Sequence, residues 1–183
     1  MNASLVSRAN SLILGTLLSL PLSGLLPALA TTQATIGTPA PGFRLQDQHD
    51  AWISLADQKG KWLVVYFYPM DETPGCTTEA CEFRDNMFAF RKLGVQVLGI
   101  SVQDVASKKQ FASKYSLPFS VLADSDKSVA RAYGVLSILG YARRETFVID
   151  PQGRIARHYA SVDPKQHSRQ LLSDLQALIK PAA

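Results

Sequence analysis

The chain has 183 residues, of which 46% are hydrophobic and 19% are charged, with a formal net charge of +4. This length allows one domain with a hydrophobic core. No run of basic residues is longer than two, which argues against nucleic acid as a partner.

The first 30 residues have the pattern of a secretory signal peptide. A short start carrying Arg8 precedes an apolar stretch, and an Ala-x-Ala site follows at 28–30. The apolar core before Pro21 is shorter than the ~20 residues of a membrane span, so cleavage is favoured over a retained anchor. We therefore expect export to a periplasm or a thylakoid lumen, and a single mature domain (31–183) without stable membrane insertion.

Beyond an extended lead-in at 31–41, strands and helices alternate. Apolar and β-branched runs predict strands at 52–55, 62–68, 95–102, 119–122, 146–150 and 155–159. Apolar residues spaced by three and four predict helices at 76–93, 106–115, 128–133 and 166–179. The last helix carries a stripe assigned to the core, made of Leu171, Leu172, Leu175, Leu178 and Ile179. This order implies an α/β sheet covered by helices on both faces.

The two cysteines lie where a predicted buried strand passes into a predicted helix. Pro69 ends the strand because proline cannot donate to a ladder. Thr73 is placed to cap the helix that contains Cys76. A thiolate near a helix N-terminus is stabilised by the macrodipole and by free N–H groups. The segment therefore has the layout of a reactive cysteine carried on a scaffold.

The five-residue spacing of Cys76 and Cys81 predicts a redox-dependent change in this helix. On an ideal helix their Cα atoms would lie about 8.7 Å apart. A disulfide does not form beyond roughly 7 Å without backbone movement. The two cysteines can therefore bond only if the first turns of the helix unwind.

Other interpretations of the cysteines stay open on the residues alone. Both can be inert core residues, since free cysteine is often buried, and a static disulfide suits an exported protein. A zinc site is disfavoured because it needs four ligands, and no partner motif surrounds the histidines, His49, His158 and His167. A thioredoxin-type dithiol would need Cys-x-x-Cys.

The pattern Pro-x-x-x-Thr-x-x-Cys, formed by Pro69, Thr73 and Cys76, resembles the active-site signature of the peroxiredoxins. The longer string Thr-Pro-Gly-Cys-Thr-x-Glu-Ala-Cys at 73–81 is similar to the Q-type subgroup, also called bacterioferritin comigratory proteins. In that subgroup the second cysteine lies five residues after the first. The resemblance spans about 36–179 and implies a thioredoxin-like fold with a central mixed sheet.

The resemblance implies a thiol-dependent peroxidase. Cys76 would attack the O–O bond of hydrogen peroxide or an alkyl hydroperoxide and become a sulfenic acid. Cys81 would form an intramolecular disulfide with it, and a thioredoxin-type reductant would break this bridge. No metal, haem or flavin is implied, and we expect a monomer.

In the family an arginine just ahead of the 146–150 strand reaches the peroxidatic cysteine. The register favours Arg144 for this role and leaves Arg143 at the surface. A guanidinium stabilises a thiolate and can bond peroxide oxygens as charge develops on them. Pro69, Thr73 and Gly75 would complete the peroxide site.

Other polar residues are assigned to the surface. Glu79 is expected on a solvated helix face in preference to a pair with a site arginine. The three histidines are expected at the surface because they lack a motif context.

Two other functions suit an exported thioredoxin-like protein. A copper-delivery protein for cytochrome oxidase assembly would carry Cys-x-x-x-Cys with a distant histidine, one residue fewer than separates the cysteines here. A thiol–disulfide oxidoreductase is disfavoured by the missing Cys-x-x-Cys.

Overall fold

The computed structural model describes residues 34–179, which form one seven-stranded sheet with four α-helices and a short 3-10 helix. The strands are β1 (Arg44–Asp47), β2 (Trp52–Ser54), β3 (Trp62–Phe67), β4 (Val95–Ser101), β5 (Ser120–Ala123), β6 (Glu145–Ile149) and β7 (Ile155–Tyr159). The helices are α1 (Pro74–Lys92), α2 (Val105–Tyr115), α3 (Ser128–Ala132) and α4 (His167–Ile179), and the 3-10 helix is Ala56–Gln58. The predicted signal peptide and its cleavage point lie outside the described residues.

The sheet is mixed, with the strand order β2-β1-β5-β4-β3-β6-β7. β4 pairs in parallel with both β3 and β5, whereas β6 pairs antiparallel with β3 and β7. β3 therefore lies inside the sheet, between β4 and β6, which explains why its sequence is a continuous apolar run instead of an alternating one.

The side chains of β3 alternate between two cores. Val64 and Tyr66 join a cluster that includes residues of α1, α2 and α4, and Val65 and Phe67 join a second cluster that includes residues of α3. The prediction of an α/β sheet covered on both faces is confirmed. The assignment of the α4 stripe to the core is also confirmed, because all five of its residues are buried in or packed against the first cluster.

One strand was not predicted. β1 has only four residues, two of them charged, so the apolar pattern that marks the other strands is absent. It pairs with both β2 and β5 and buries Leu45 on one face of the sheet.

Helix α1 begins two residues before its predicted start. Pro74 occupies the first turn, where its missing N–H leaves no helical bond unmade. The buried face of α1 consists of Cys76, Glu79, Ala80, Phe83, Met87 and Phe90. Among the helices of residues 34–179, none combines the length and hydropathy that crossing a bilayer requires.

Candidate active site

Both cysteines are free thiols on an unbroken α1. Cys76 lies in its first turn and is 1% exposed, whereas Cys81 is half-buried one turn further on. This is the dithiol form of the helix, in which the ideal geometry keeps the two Cα atoms too far apart to bridge.

Arg144 contacts the thiol of Cys76 directly. Its Nη2 donates a hydrogen bond to Sγ at 3.2 Å. The two residues are 68 positions apart and meet through the sheet, because Phe67 at the end of β3 pairs with Glu145 at the start of β6. The chain leaving β3 therefore enters α1 beside the residue that precedes β6.

Arg143 lies elsewhere, although it is the adjacent residue. Its guanidinium is half exposed, donates to Glu145 Oε1 at 2.7 Å and donates to the carbonyl of Gly134 at 2.6 Å. The structure thus places Arg144 at the thiol and Arg143 at the surface.

The prediction that Glu79 lies on a solvated helix face is wrong. Its side chain is 0% exposed, and Oε2 accepts a hydrogen bond from Arg144 Nη1. Burial raises the pKa of Glu79 to about 7, while the charge and hydrogen bond of Arg144 oppose that rise. The signal that could have located Glu79 is its position three residues after Cys76, which puts both on one helix face.

Arg144 therefore holds two groups of α1 at once. One terminal nitrogen bonds the sulfur of Cys76 and the other bonds the carboxylate of Glu79. This use of the guanidinium fork fixes the direction in which the arginine approaches the thiol. A lysine could not make both contacts in the same geometry.

Thr73 is the N-cap residue of α1, as predicted, but its side chain does not cap the helix. Its Oγ1 instead donates to the carbonyl of Met70 at 3.0 Å, while its backbone carbonyl accepts from Thr77 N at 2.9 Å. The predicted capping bond is therefore wrong, because the hydroxyl closes the turn before the helix.

The two remaining predicted site residues adjoin these groups in the chain. Pro69 is half-buried just after β3. Gly75 precedes Cys76, and a Cβ at this position would lie 3.2 Å from Arg144 Nη2. Glycine therefore leaves the guanidinium room to reach the sulfur.

The prediction of three surface histidines is wrong for His167. This residue is 1% exposed, its Nε2 shares a hydrogen bond of 2.8 Å with Thr146 Oγ1, and its ring packs edge-on to Phe83. Burial lowers the pKa of His167 to about 4. Its spacing of four from Leu171 is the signal that could have placed it on the buried face of α4.

The other two histidines lie nearer solvent. His49 is exposed, and His158 is half-buried and paired with Glu145 through Nε2 at 2.7 Å. Within residues 34–179, no group of three or more His, Cys, Asp or Glu side chains is arranged to hold a metal ion.

Comparison with known proteins gives concordant matches. The profile of the AhpC/TSA family matches residues 36–158. The chain is 41% identical over 166 residues to peroxiredoxin Q, chloroplastic, of Populus jackii, covering 89% of this chain and 78% of that protein. It is 38% identical over 149 residues to peroxiredoxin Bcp of Bacillus subtilis, covering 77% and 94% respectively.

The fold matches solved structures as well. The crystal structure of peroxidoxin BcpB from Mycobacterium tuberculosis aligns with a TM-score of 0.75 and 31% identity, covering 80% of this chain and 99% of that one. The prediction of a thioredoxin-like fold is confirmed.

Proposed function

Because the chain belongs to the peroxiredoxin Q (Bcp) subgroup of the AhpC/TSA family and is a thiol-dependent peroxidase, we propose that Cys76 is the residue that attacks peroxide. The observation that carries the proposal is the 3.2 Å hydrogen bond from Arg144 Nη2 to Cys76 Sγ at the start of α1. A guanidinium and a helix N-terminus both favour a thiolate, and the thiolate is the nucleophilic form.

In the proposed first step, the Cys76 thiolate attacks one oxygen of hydrogen peroxide or of an alkyl hydroperoxide. An S–O bond forms as the O–O bond breaks, and the leaving oxygen takes up a proton and departs as water or an alcohol. Cys76 is left as a sulfenic acid. Arg144 stabilises the charge that develops on the peroxide oxygens.

The peroxide would lie against the N-terminal end of α1. The N–H groups of Gly75 and Cys76 belong to the first turn, where a helix provides no carbonyl partner, so they are available as donors. Pro69 and Thr73 would line the same site, with Thr73 held in place by its hydrogen bond to Met70.

In the proposed second step, Cys81 condenses with the sulfenic acid, which forms a Cys76–Cys81 disulfide and releases water. The first turns of α1 must unwind for this bond to form. A thioredoxin-type dithiol then reduces the bridge by thiol–disulfide exchange, which returns both cysteines to thiols.

Two substitutions test these roles. Cys76→Ser should abolish peroxide reduction because serine cannot supply a thiolate. Cys81→Ser should still complete one turnover and leave a sulfenic acid on Cys76 that dimedone labels. Peroxide reduction by Cys76→Ser near the wild-type rate would exclude Cys76 as the nucleophile, and an unlabelled but active Cys81→Ser would exclude Cys81 as the resolving residue.

The reductant and the substrate range are tested by turnover. Peroxide consumption should continue beyond one equivalent only when a thioredoxin system is supplied, with hydrogen peroxide and with an alkyl hydroperoxide as substrates. Sustained consumption without any dithiol would argue against this reductant class. Neither copper delivery nor thiol–disulfide oxidation is favoured by the family membership.

We also propose that the enzyme works as an exported monomer, in a periplasm or a thylakoid lumen. This rests on the signal-peptide pattern of residues 1–30. The mass of the protein recovered from its native cells should correspond to a chain starting at Thr31, and its sedimentation should be that of a monomer. A retained Met1 or a stable dimer would contradict these points.

A further inference from the structure

A buried ion pair lies under the loop that leads into α1. The ammonium of Lys108 on α2 is 0% exposed and bonds both carboxylate oxygens of Asp71, at 2.8 Å and 3.1 Å, with the Asp71 side chain 2% exposed. Lys108 also donates to Ser101 Oγ at the end of β4. A buried charge costs free energy unless it is paired, so any movement of the loop that separates Asp71 from Lys108 is unfavourable.

Asp71 also makes hydrogen bonds to three other side chains around the loop. Tyr68 OH donates to Oδ1 at 2.7 Å, Ser107 Oγ donates to Oδ2 at 2.6 Å, and the backbone N–H of Asp71 bonds the side chain of Gln103. One carboxylate thus ties the loop to the end of β3 and to the first turn of α2. A carboxylate with this many charge-assisted bonds is held rigidly.

The loop needs such an anchor because its backbone is strained. Glu72, which follows Asp71, has φ +60°. This left-handed conformation is unfavourable for any residue that has a Cβ atom. Thr73, the N-cap of α1, comes next and bonds back to Met70. Release of Asp71 would let the turn relax and carry Thr73 and the first turn of α1 with it.

We propose that Lys108 is a positioning residue for peroxide reduction: by pairing with Asp71 it locks the turn before α1, so that Thr73 and Cys76 are held in place for attack. This inference rests on the proposed role of Cys76. The anchor holds the turn that precedes the folded helix, so it favours the attack on peroxide and does not assist the unwinding that precedes disulfide formation.

This division between steps separates a positioning role from a merely structural one. Loss of the anchor should slow the reaction of Cys76 with peroxide, since small misplacements of reacting groups cost up to about 100-fold in rate. It should leave disulfide formation as fast or make it faster, because a turn that Asp71 no longer holds does not resist unwinding. General destabilisation would instead reduce the folded fraction and slow neither step selectively.

The experiment uses Lys108→Met, which keeps the apolar stem and removes the charge, and Tyr68→Phe, which removes one hydroxyl bond to Asp71. The matched control is Lys114→Met, because Lys114 also links α2 to this loop, through Glu72, but at the surface. Sulfenic acid formation and disulfide formation are timed separately in single turnovers by rapid quench, thiol alkylation and intact mass. Circular dichroism and denaturant unfolding report the folded fraction.

We expect sulfenic acid formation to fall about 10- to 100-fold in Lys108→Met and several-fold in Tyr68→Phe, with disulfide formation at least as fast as in wild type and Lys114→Met unchanged in both steps. Wild-type attack rates in folded Lys108→Met, parallel slowing of both steps, or an equal loss in Lys114→Met would overturn the proposal. If Lys108→Met does not fold, Tyr68→Phe decides by the same criteria. A wild-type protein that forms no sulfenic acid on Cys76 would instead refute the proposed function.

Discussion

Replacement of Arg144 by alanine removes two contacts of α1 together, the bond to Cys76 Sγ and the bond to Glu79 Oε2. Loss of one pre-arranged donor to developing charge typically slows a reaction about 10²- to 10³-fold, or about 2.7–4 kcal/mol. We expect the second-order rate constant for peroxide attack to fall about 10²- to 10³-fold in Arg144→Ala.

The same substitution has a pH-dependent effect on stability. Arg144 lowers the pKa of Glu79 against the larger effect of burial, and the pKa is still about 7. Without the arginine, the folded-state pKa of Glu79 rises further while the unfolded value does not change. The variant therefore retains a proton that the wild type loses above pH 7, and its deficit in unfolding free energy should grow with pH by about 1.4 kcal/mol per unit there.

The control is Arg143→Ala, which removes a neighbouring arginine that bonds Glu145 and Gly134 but not Cys76. Stopped-flow mixing of each reduced variant with hydrogen peroxide measures the attack. We expect Arg143→Ala to remain within about three-fold of wild type, because neither of the groups that Arg143 bonds is the reacting sulfur. Equal, small losses in both variants would refute the role assigned to Arg144.

Three further changes test the same geometry. Gly75→Ala should slow peroxide attack several-fold without loss of cooperative unfolding, because its Cβ would lie 3.2 Å from Arg144 Nη2 and displace the guanidinium; an unchanged rate would contradict this. Glu79→Gln should slow attack about ten-fold by weakening a charge-assisted bond to Arg144. In wild type, the raised pKa of Glu79 means that stability is lost as pH rises from 4.5 through about 7. Chemical unfolding should therefore show Glu79→Gln gaining about 3 kcal/mol of unfolding free energy relative to wild type over this window. A difference that stays constant with pH would be evidence against the raised pKa. The lowered pKa of His167 gives the opposite pH dependence, because stability is lost as pH falls from 6.5 through about 4. His167→Gln should therefore avoid about 3 kcal/mol of acid destabilisation. Parallel profiles of unfolding free energy against pH would disprove this effect of burial.

The fold was largely predictable because its elements carry local patterns. The apolar run of β3 and the three- and four-residue spacing along α1 and α4 specify which faces are buried. β1 escaped prediction since a four-residue strand with two charged residues has too little pattern to separate it from a loop.

The site was predictable only where a motif or register marks it. Thr73, Cys76 and Cys81 stand in one continuous string, and Arg144 stands at a fixed distance before a strand. Glu79 was misplaced because a carboxylate in a helix is normally solvated, and the partner that allows its burial is 65 residues away in the sequence.

Lys108 shows the same limit of local patterns. It lies three residues before Phe111 on the buried face of α2, but apolar spacing does not identify the partner of a buried lysine, and Asp71 is 37 residues away. Burial of a charge depends on partners brought by the sheet, whereas apolar periodicity reports only which face of an element is buried.

In the proposed mechanism, the Cys76–Cys81 disulfide forms only when the first turns of α1 unwind. Amide hydrogen exchange of the reduced and the oxidised protein, with the bridge verified by intact mass, measures this unwinding. In the reduced protein α1 is continuous from Pro74, so the amides of residues 77–83 should be protected. Oxidation should remove that protection and leave the amides of β3 and β4 almost unchanged. Equal protection of residues 77–83 in both redox states would show that the disulfide forms without unwinding of the helix.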